Sequence, residues 1–183
     1  DLEQGVKGLR IAYSPALGYV DVDPEVAERV KQALVVFETL GAVVEHAEPG
    51  FENPLPIFKA LTASAVAHLF TRIPPERHAL AGVDLQNTAE FGRSLSAVDY
   101  LKAVEAREAL ARHLADFHQT WDLLITPATP ITAPLADYPP GDAGPRTLSP
   151  FAYPFNLSRQ PAASIPIGLS SKGLPIGLQV VGR

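Results

Sequence analysis

Two short groupings in this chain carry residue types that could attack a carbonyl. Ser64 and His68 lie four apart in an apolar run, the spacing that puts two side chains on one side of a helix. A serine beside an imidazole needs a third group to orient the base, and no acid is spaced to do so. The pair reads better as a core-edge histidine satisfied by a hydrogen bond. Ser170-Ser171-Lys172 sets two hydroxyls and an amine in a row before Gly173. Adjacent side chains on a turn cannot converge on one carbonyl, so this run reads as a solvated turn. The G-x-S-x-G elbow is absent. Asp21 with Asp23 reads as a helix start, and Asp137 and Asp142 fall in a Pro/Gly stretch, so no paired carboxylates stand out for acid–base work. His78, His113 and His118 lack metal-ligand spacing, and a surface or capping role is expected for each. No metal or cofactor is expected.

The composition sets bounds on what holds these residues. The chain has 183 residues, 46% hydrophobic and 19% charged, with a net charge of −5 and no cysteine. That is enough for a single domain with a real core. No basic patch suggests a nucleic acid, and no apolar run approaches the roughly 20 residues of a membrane helix. Disulfides are excluded; the expected location is the cytoplasm. The start at Asp1 and the stop at Arg183, straight after a strand-like run, look like cuts inside a larger protein.

Taken in order, Leu9 to Tyr13 is a short apolar strand and Ser14 to Val22 a loop. Asp23-Pro24-Glu25 opens a helix, with Asp as cap, Pro in the first turn and acid beside the free N–H groups. Val26, Val30, Leu34, Phe37 and Leu40 form its apolar face, and Gly41 stops it. Ala42 to His46 is a second strand, so the unit reads as βαβ with parallel strands. Leu55 to Phe70 is a helix with Ile57, Leu61, Ala65 and Leu69 on one face, and 73–93 reads as a short helix plus loop. Ser96 to Gln119 is the longest helix, opened by a capping box of Ser96 and Asp99. Leu123 to Thr126 is a buried strand stopped by Pro127. Ala163 to Leu169 and Leu174 to Val181 form a hairpin about Ser170–Gly173, with Pro166 and Pro175 suited to ladder ends or an edge. The fold class is α/β, a mixed sheet with flanking helices. Between strand and hairpin, the loop 149–160 carries Phe151, Tyr153, Phe155 and Asn156, aromatic and amide groups that suit a mostly apolar pocket.

Three stretches resemble a known family. Asp-Leu-Leu-Ile-Thr-Pro-Ala-Thr-Pro from Asp122, Pro-Phe-Asn-Leu-Ser-Arg-Gln-Pro-Ala from Pro154, and Gly-Leu-Pro-Ile-Gly-Leu-Gln-Val-Val-Gly from Gly173 are similar, in order and spacing, to the C-terminal half of the amidase signature family. The resemblance covers Leu9 to Gly182. It implies that residues 1–183 form a single C-terminal portion of an amidase domain. It also implies a serine amidohydrolase whose nucleophilic serine, cis-peptide serine and lysine lie in an N-terminal half outside this chain. The expected function is then the substrate-pocket half of an enzyme splitting a carboxamide C–N bond, with the chain alone inactive. The expected partners are a small-molecule amide, the N-terminal half and, on an uncovered apolar face, a second copy. In the family the helix bearing Ser64 and His68 borders the substrate pocket, and the segment before Asn-Leu lines its acyl side. Ser149, Phe151, Phe155 and Asn156 are therefore the expected substrate-binding residues. Within the family, the glutamyl-tRNA amidotransferases have an acid a few residues before Asn-Leu; here Ser149 stands there, which favours a less polar amide. The alternatives are a non-catalytic α/β module that binds a small ligand or a partner, and the A subunit of a glutamyl-tRNA amidotransferase, which the missing acid disfavours.

Arg107 lies among Tyr100, Ala103, Val104, Leu110, Ala111 and Leu114 on the apolar side of the longest helix, opposite Lys102, Glu105, Arg112 and Asp116. An inward Arg needs a carboxylate or several carbonyls, so a structural role is expected. Arg107→Leu should lower the melting temperature more than it alters substrate preference. Loss of activity at an unchanged melting temperature would reverse that assignment.

Overall fold

The computed structural model describes residues 4–135 and 149–183. Asp137 and Asp142 lie outside the described residues. The chain forms two units by its contacts: one runs to Glu52 and resumes at Ala111, and the other is Asn53–Leu110.

The first unit is built on a five-stranded sheet. Strand β1 (Arg10–Tyr13) leads through helix α1 (Pro24–Thr39) to β2 (Val43–His46), which pairs parallel with β1. The helix starts as its sequence dictates: the Asp23 carboxylate accepts from Glu25 N at 2.8 Å, satisfying one of the free N–H groups of the first turn. It ends before Gly41, whose φ of +89° is the left-handed conformation that glycine adopts without strain. Strand β3 (Leu123–Pro127) runs parallel to β1 on its other side. The hairpin forms as expected: β4 (Ala162–Leu169) and β5 (Pro175–Val181) pair antiparallel, and β5 pairs antiparallel with β3. The order β2-β1-β3-β5-β4 makes a mixed sheet, so the α/β expectation holds. Pro175 opens its strand, and Pro166 sits on the edge strand beside a register shift.

One face of the sheet takes the apolar stripe of α1. Ile11, Val30, Leu34, Ala42, Ile125 and Leu178 form this core. Each large aliphatic side chain so buried contributes on the order of 1.5–3 kcal/mol. Strand alternation turns the next residues, Leu124, Thr126, Gln179 and Val181, to the opposite face, and all four are buried there too. Edge strand β4 is different: seven of its eight residues are exposed, Ile167 alone being half-buried.

The second unit is helical. It holds α2 (Leu55–Phe70), a 3-10 turn over Pro75–Leu80, α3 (Val83–Ser94) and α4 (Ala97–Phe117) as far as Leu110. The capping box is present, Asp99 N donating to Ser96 Oγ at 3.2 Å and Ser96 N to the Asp99 carboxylate at 3.0 Å. Ser96 Oγ donates to the same carboxylate at 2.6 Å, and this bond, with the one from Ser96 N, holds the Asp99 carboxyl below its usual range. Two expectations are corrected. The short helix plus loop expected over 73–93 is a 3-10 turn followed by a longer helix, the 12 residues of α3 that end at Ser94. And α2 buries Ala63, Ala67 and Phe70, while Leu69 is 49% exposed, so its buried side is not that of Ile57, Leu61, Ala65 and Leu69.

Gly92 explains both corrections. It is a point of close contact: a Cβ there would stand 1.9 Å from the Ala63 carbonyl oxygen and 2.9 Å from the Ala67 methyl. The small residues of α2 face α3 because only there can the two backbones approach so closely. Gly92→Ala is expected to destabilise Asn53–Leu110 by about 1–3 kcal/mol or more, since backbone must move to admit the methyl. Urea denaturation followed by helical circular dichroism would test it. An unchanged midpoint would mean that α2 and α3 do not touch in this way.

Candidate functional site

One of the two side chains that fasten the segment before Asn156 comes from the middle of the sheet. Gln179, 7% exposed on β5, donates through Nε2 to the Phe151 carbonyl at 2.8 Å and to Thr126 Oγ1 at 3.1 Å. Thr126 stands directly opposite it in register and passes its own proton to the Pro127 carbonyl at 2.8 Å. With its carbonyl satisfied, Phe151 can bury its ring completely, and Phe155, four residues on, is buried too at 2% exposure. The segment itself is not all loop. Tyr153–Ser158 is a helix, α5, with Pro154 in its first turn and Arg159 closing it at φ 64°. Arginine in a left-handed cap is strained relative to the usual glycine.

The loops at the carboxyl ends of the parallel strands are bound to the same region. After β1, buried Ser14 donates to the Glu48 carboxylate and accepts from Leu17 N at 2.9 Å, which holds Leu17 at φ 49°. Tyr19 donates to the Pro150 carbonyl at 2.8 Å and packs against Phe51 with ring centroids 6.1 Å apart. Burial, and next the neighbouring Tyr153 hydroxyl, push the Tyr19 phenol well above its ordinary range, so it remains a donor. After β3, the Pro130 carbonyl accepts from Asp23 N at 2.9 Å. These hydroxyls are committed to holding loops, which leaves them unsuited to nucleophilic work.

The expected substrate-binding residues separate into two kinds. Ser149 and Asn156 are exposed. Phe151 and Phe155 are buried, at 0% and 2% exposure. Ser64 and His68 do not meet as nucleophile and base: Ser64 Oγ donates back to the Ala60 carbonyl at 2.8 Å, and His68 is exposed. The turn after β4 is held by α1, where Ser171 Oγ donates to the Glu25 carboxylate at 3.1 Å. His78 accepts the capping role expected of it, its Nε2 lying 3.1 and 2.9 Å from the Phe70 and Ile73 carbonyls. Arg107 is half-buried; the ion pairs found among the described residues, His46–Glu48 and Arg183–Asp122, do not include it. Among the described residues no three His, Cys, Asp or Glu side chains cluster as metal ligands would, and no helix is long and apolar enough to cross a membrane. Gln179 and Tyr19, the two side chains that fix the segment, were not singled out for these roles by the sequence; a buried amide on a strand carries no periodic signal.

The chain belongs to the amidase family, whose model matches residues 1–183. It is 31% identical to an acylamidase of Rhodococcus erythropolis over 97% of this chain and 39% of that protein. It is 31% identical to the A subunit of the glutamyl-tRNA(Gln) amidotransferase of Moorella thermoacetica over 100% of this chain and 42% of that protein. The fold is similar to that of a 6-aminohexanoate cyclic dimer hydrolase, with a TM-score of 0.83 at 24% identity over 100% of this chain and 43% of that one. The chain thus spans about two fifths of the length of these relatives.

A histidine marks the other end of the sheet. His118, 2% exposed, donates from Nδ1 to the Trp121 carbonyl at 2.9 Å, which leaves Nε2 as the lone-pair nitrogen, with no partner among the described residues. It lines a cleft of about 310 Å³ with Gln119, Arg159, Gln160 and Arg183. Next to it, Asp122 accepts from Arg10 N at 2.8 Å and pairs with Arg183 at 3.0 Å, while the Arg10 guanidinium lies 4.8 Å over the Trp121 ring. Burial lowers the His118 pKa below 6.5. The folded chain therefore binds this proton less readily than the unfolded one. Its contribution to stability is complete above about pH 6.5 and is lost as the pH falls from there through the depressed folded value. Replacing His118 by Phe should flatten the dependence of urea midpoint on pH below about 6.5 relative to the unchanged chain. Parallel slopes would show that His118 titrates freely.

Proposed function

We propose that this chain is the substrate-pocket half of an amidase that hydrolyses a carboxamide C–N bond to a carboxylate and ammonia or an amine. The observation that carries the proposal is the family match over the whole chain, set against a span of only two fifths of the relatives. The Ser–cis-Ser–Lys triad lies outside these residues, in the N-terminal half. A nucleophile must present a free hydroxyl beside a base, and Ser14, Ser64 and Ser171 are bonded elsewhere. The chain alone is then inactive. Its share in the reaction is to hold the acyl part of the amide. Ser149 and Asn156 provide the exposed polar contacts, and Phe151 and Phe155 set the position of that segment from beneath. Arg107 takes a structural partner from the remainder of the domain.

The substrate is an amide with a modestly polar acyl part. Ser149 carries no charge for an α-amino group, which favours an acylamide over glutamine and so the acylamidase kind of relative over the amidotransferase kind. A binding module without catalysis is the reading to be separated from this one.

Ammonia release from benzamide and propionamide would be measured for the complete protein and for the 183-residue chain, each verified by intact mass. Release by the complete protein alone is the expected result. Hydrolysis by the short chain would place the chemistry within it, and no hydrolysis by either would favour the binding module.

A further inference from the structure

Arg159 stands where the backbone favours glycine. It closes α5 at φ 64°, in the left-handed region, and the chain around it is fixed on both sides. Its own N–H reaches the Phe155 carbonyl, as Gln160 N does at 3.2 Å. Ser158 Oγ donates to Gln160 Oε1 at 2.9 Å, and Gln160 Nε2 donates to the Gly182 carbonyl at 3.1 Å. The Arg159 side chain is exposed and takes no part in the ion pairs found among the described residues. Backbone strain at a residue whose guanidinium the fold does not use points to a use beyond the fold.

Arg159 borders the cleft of about 310 Å³ that it shares with His118 and Arg183, walled by Ala111 and Ala115 of α4. No acid lines this cleft among the described residues. Arg183 is already paired with Asp122 at 3.0 Å, so Arg159 is the cation of the cleft without a counter-charge there. His118 supplies the second, independent observation. Its Nδ1 is spent on the Trp121 carbonyl, and its Nε2 lone pair, on a side chain 2% exposed, meets no partner among the described residues. A guanidinium calls for an oxyanion, and a buried lone pair calls for a donor. These demands narrow the chemistry of one occupant. Carboxylate and sulfate satisfy the arginine, but without a proton near neutral pH they set oxygen lone pairs against Nε2. Hydrogen phosphate satisfies both, with oxygens for the guanidinium and one O–H for the imidazole.

We propose that the cleft between His118 and Arg159 binds a phosphate that retains an O–H, either inorganic phosphate or a small phosphate monoester. Arg159 holds the charge, and His118 reads the proton. The organic group of a monoester lies along Ala111 and Ala115. The inference does not depend on the amide reaction, and its test measures binding alone.

Calorimetric titration of the complete protein with inorganic phosphate, and separately with sulfate, is the test. It is run at about pH 7, where His118 is neutral because burial lowers its pKa. Phosphate should bind at least about 10-fold more tightly than sulfate, an anion of similar shape with no proton to give. Arg159→Gly relieves the left-handed strain and so keeps the fold; it should weaken phosphate binding about 10-fold or more without lowering the melting temperature. His118→Phe should erase the preference for phosphate over sulfate. A titration with ethyl phosphate separates the two sources: binding tighter than that of inorganic phosphate assigns the cleft to a monoester, and weaker binding assigns it to free phosphate. No binding of phosphate, equal affinity for phosphate and sulfate, or full binding by Arg159→Gly would each overturn the proposal. The glycine variant keeps it open to refutation even where His118→Phe fails to fold.

Discussion

A single buried amide holds this structure in register. Gln179 lies at the centre of the sheet, and burying its side chain without partners would cost about 1–3 kcal/mol. Both its observed bonds run through Nε2, one across the ladder to Thr126 and one off the sheet to the Phe151 carbonyl. The first couples β5 to the strand that Pro127 ends. The second tells the segment 149–158 where to lie. A slip of one residue in β5 would exchange Gln179 with Leu178 or Val180, placing an apolar side chain against two unsatisfied polar groups. The amide therefore contributes less to net stability than to uniqueness.

The hydroxyl groups follow the same pattern. Ser14 braces a loop against Glu48, Ser64 bonds its own helix, Ser158 bonds the Phe155 carbonyl, and Ser170 accepts from Leu174 N in the hairpin turn. Each closes a local bond and keeps a turn or helix end in shape.

Much of the architecture could be read from residue patterns. Asp23-Pro24-Glu25 and Gly41 mark α1 because capping is local chemistry, written within a few residues. The hairpin and the buried β3 were legible for the same reason: strand length, β-branching and proline positions are short-range signals. The buried side of α2 was not, because that helix is apolar nearly all round and its orientation depends on Gly92, far along the chain. Helix α5 was hidden in a Pro- and aromatic-rich stretch that reads as loop. At the candidate site, Asn156 was legible as an amide beside aromatic residues, and Ser149 was reached only through the family resemblance. The burial of Phe151 was not legible, since it depends on a carbonyl partner, Gln179, 28 residues away. Nor was the absence of Arg107 from the ion pairs found, which turns on long-range placement.

The corner around Asp122 has a consequence for how such a sheet can change. Its carboxylate takes an amide from β1 and the guanidinium of Arg183 just beyond β5, and Arg10 lies over Trp121. Three strands are thereby fastened at the end where β1 and β3 begin. Their other ends open into the loops that carry Ser14, Tyr19 and Pro130. A scaffold anchored at one margin can accept altered loop lengths and side chains at the opposite margin without losing strand alignment.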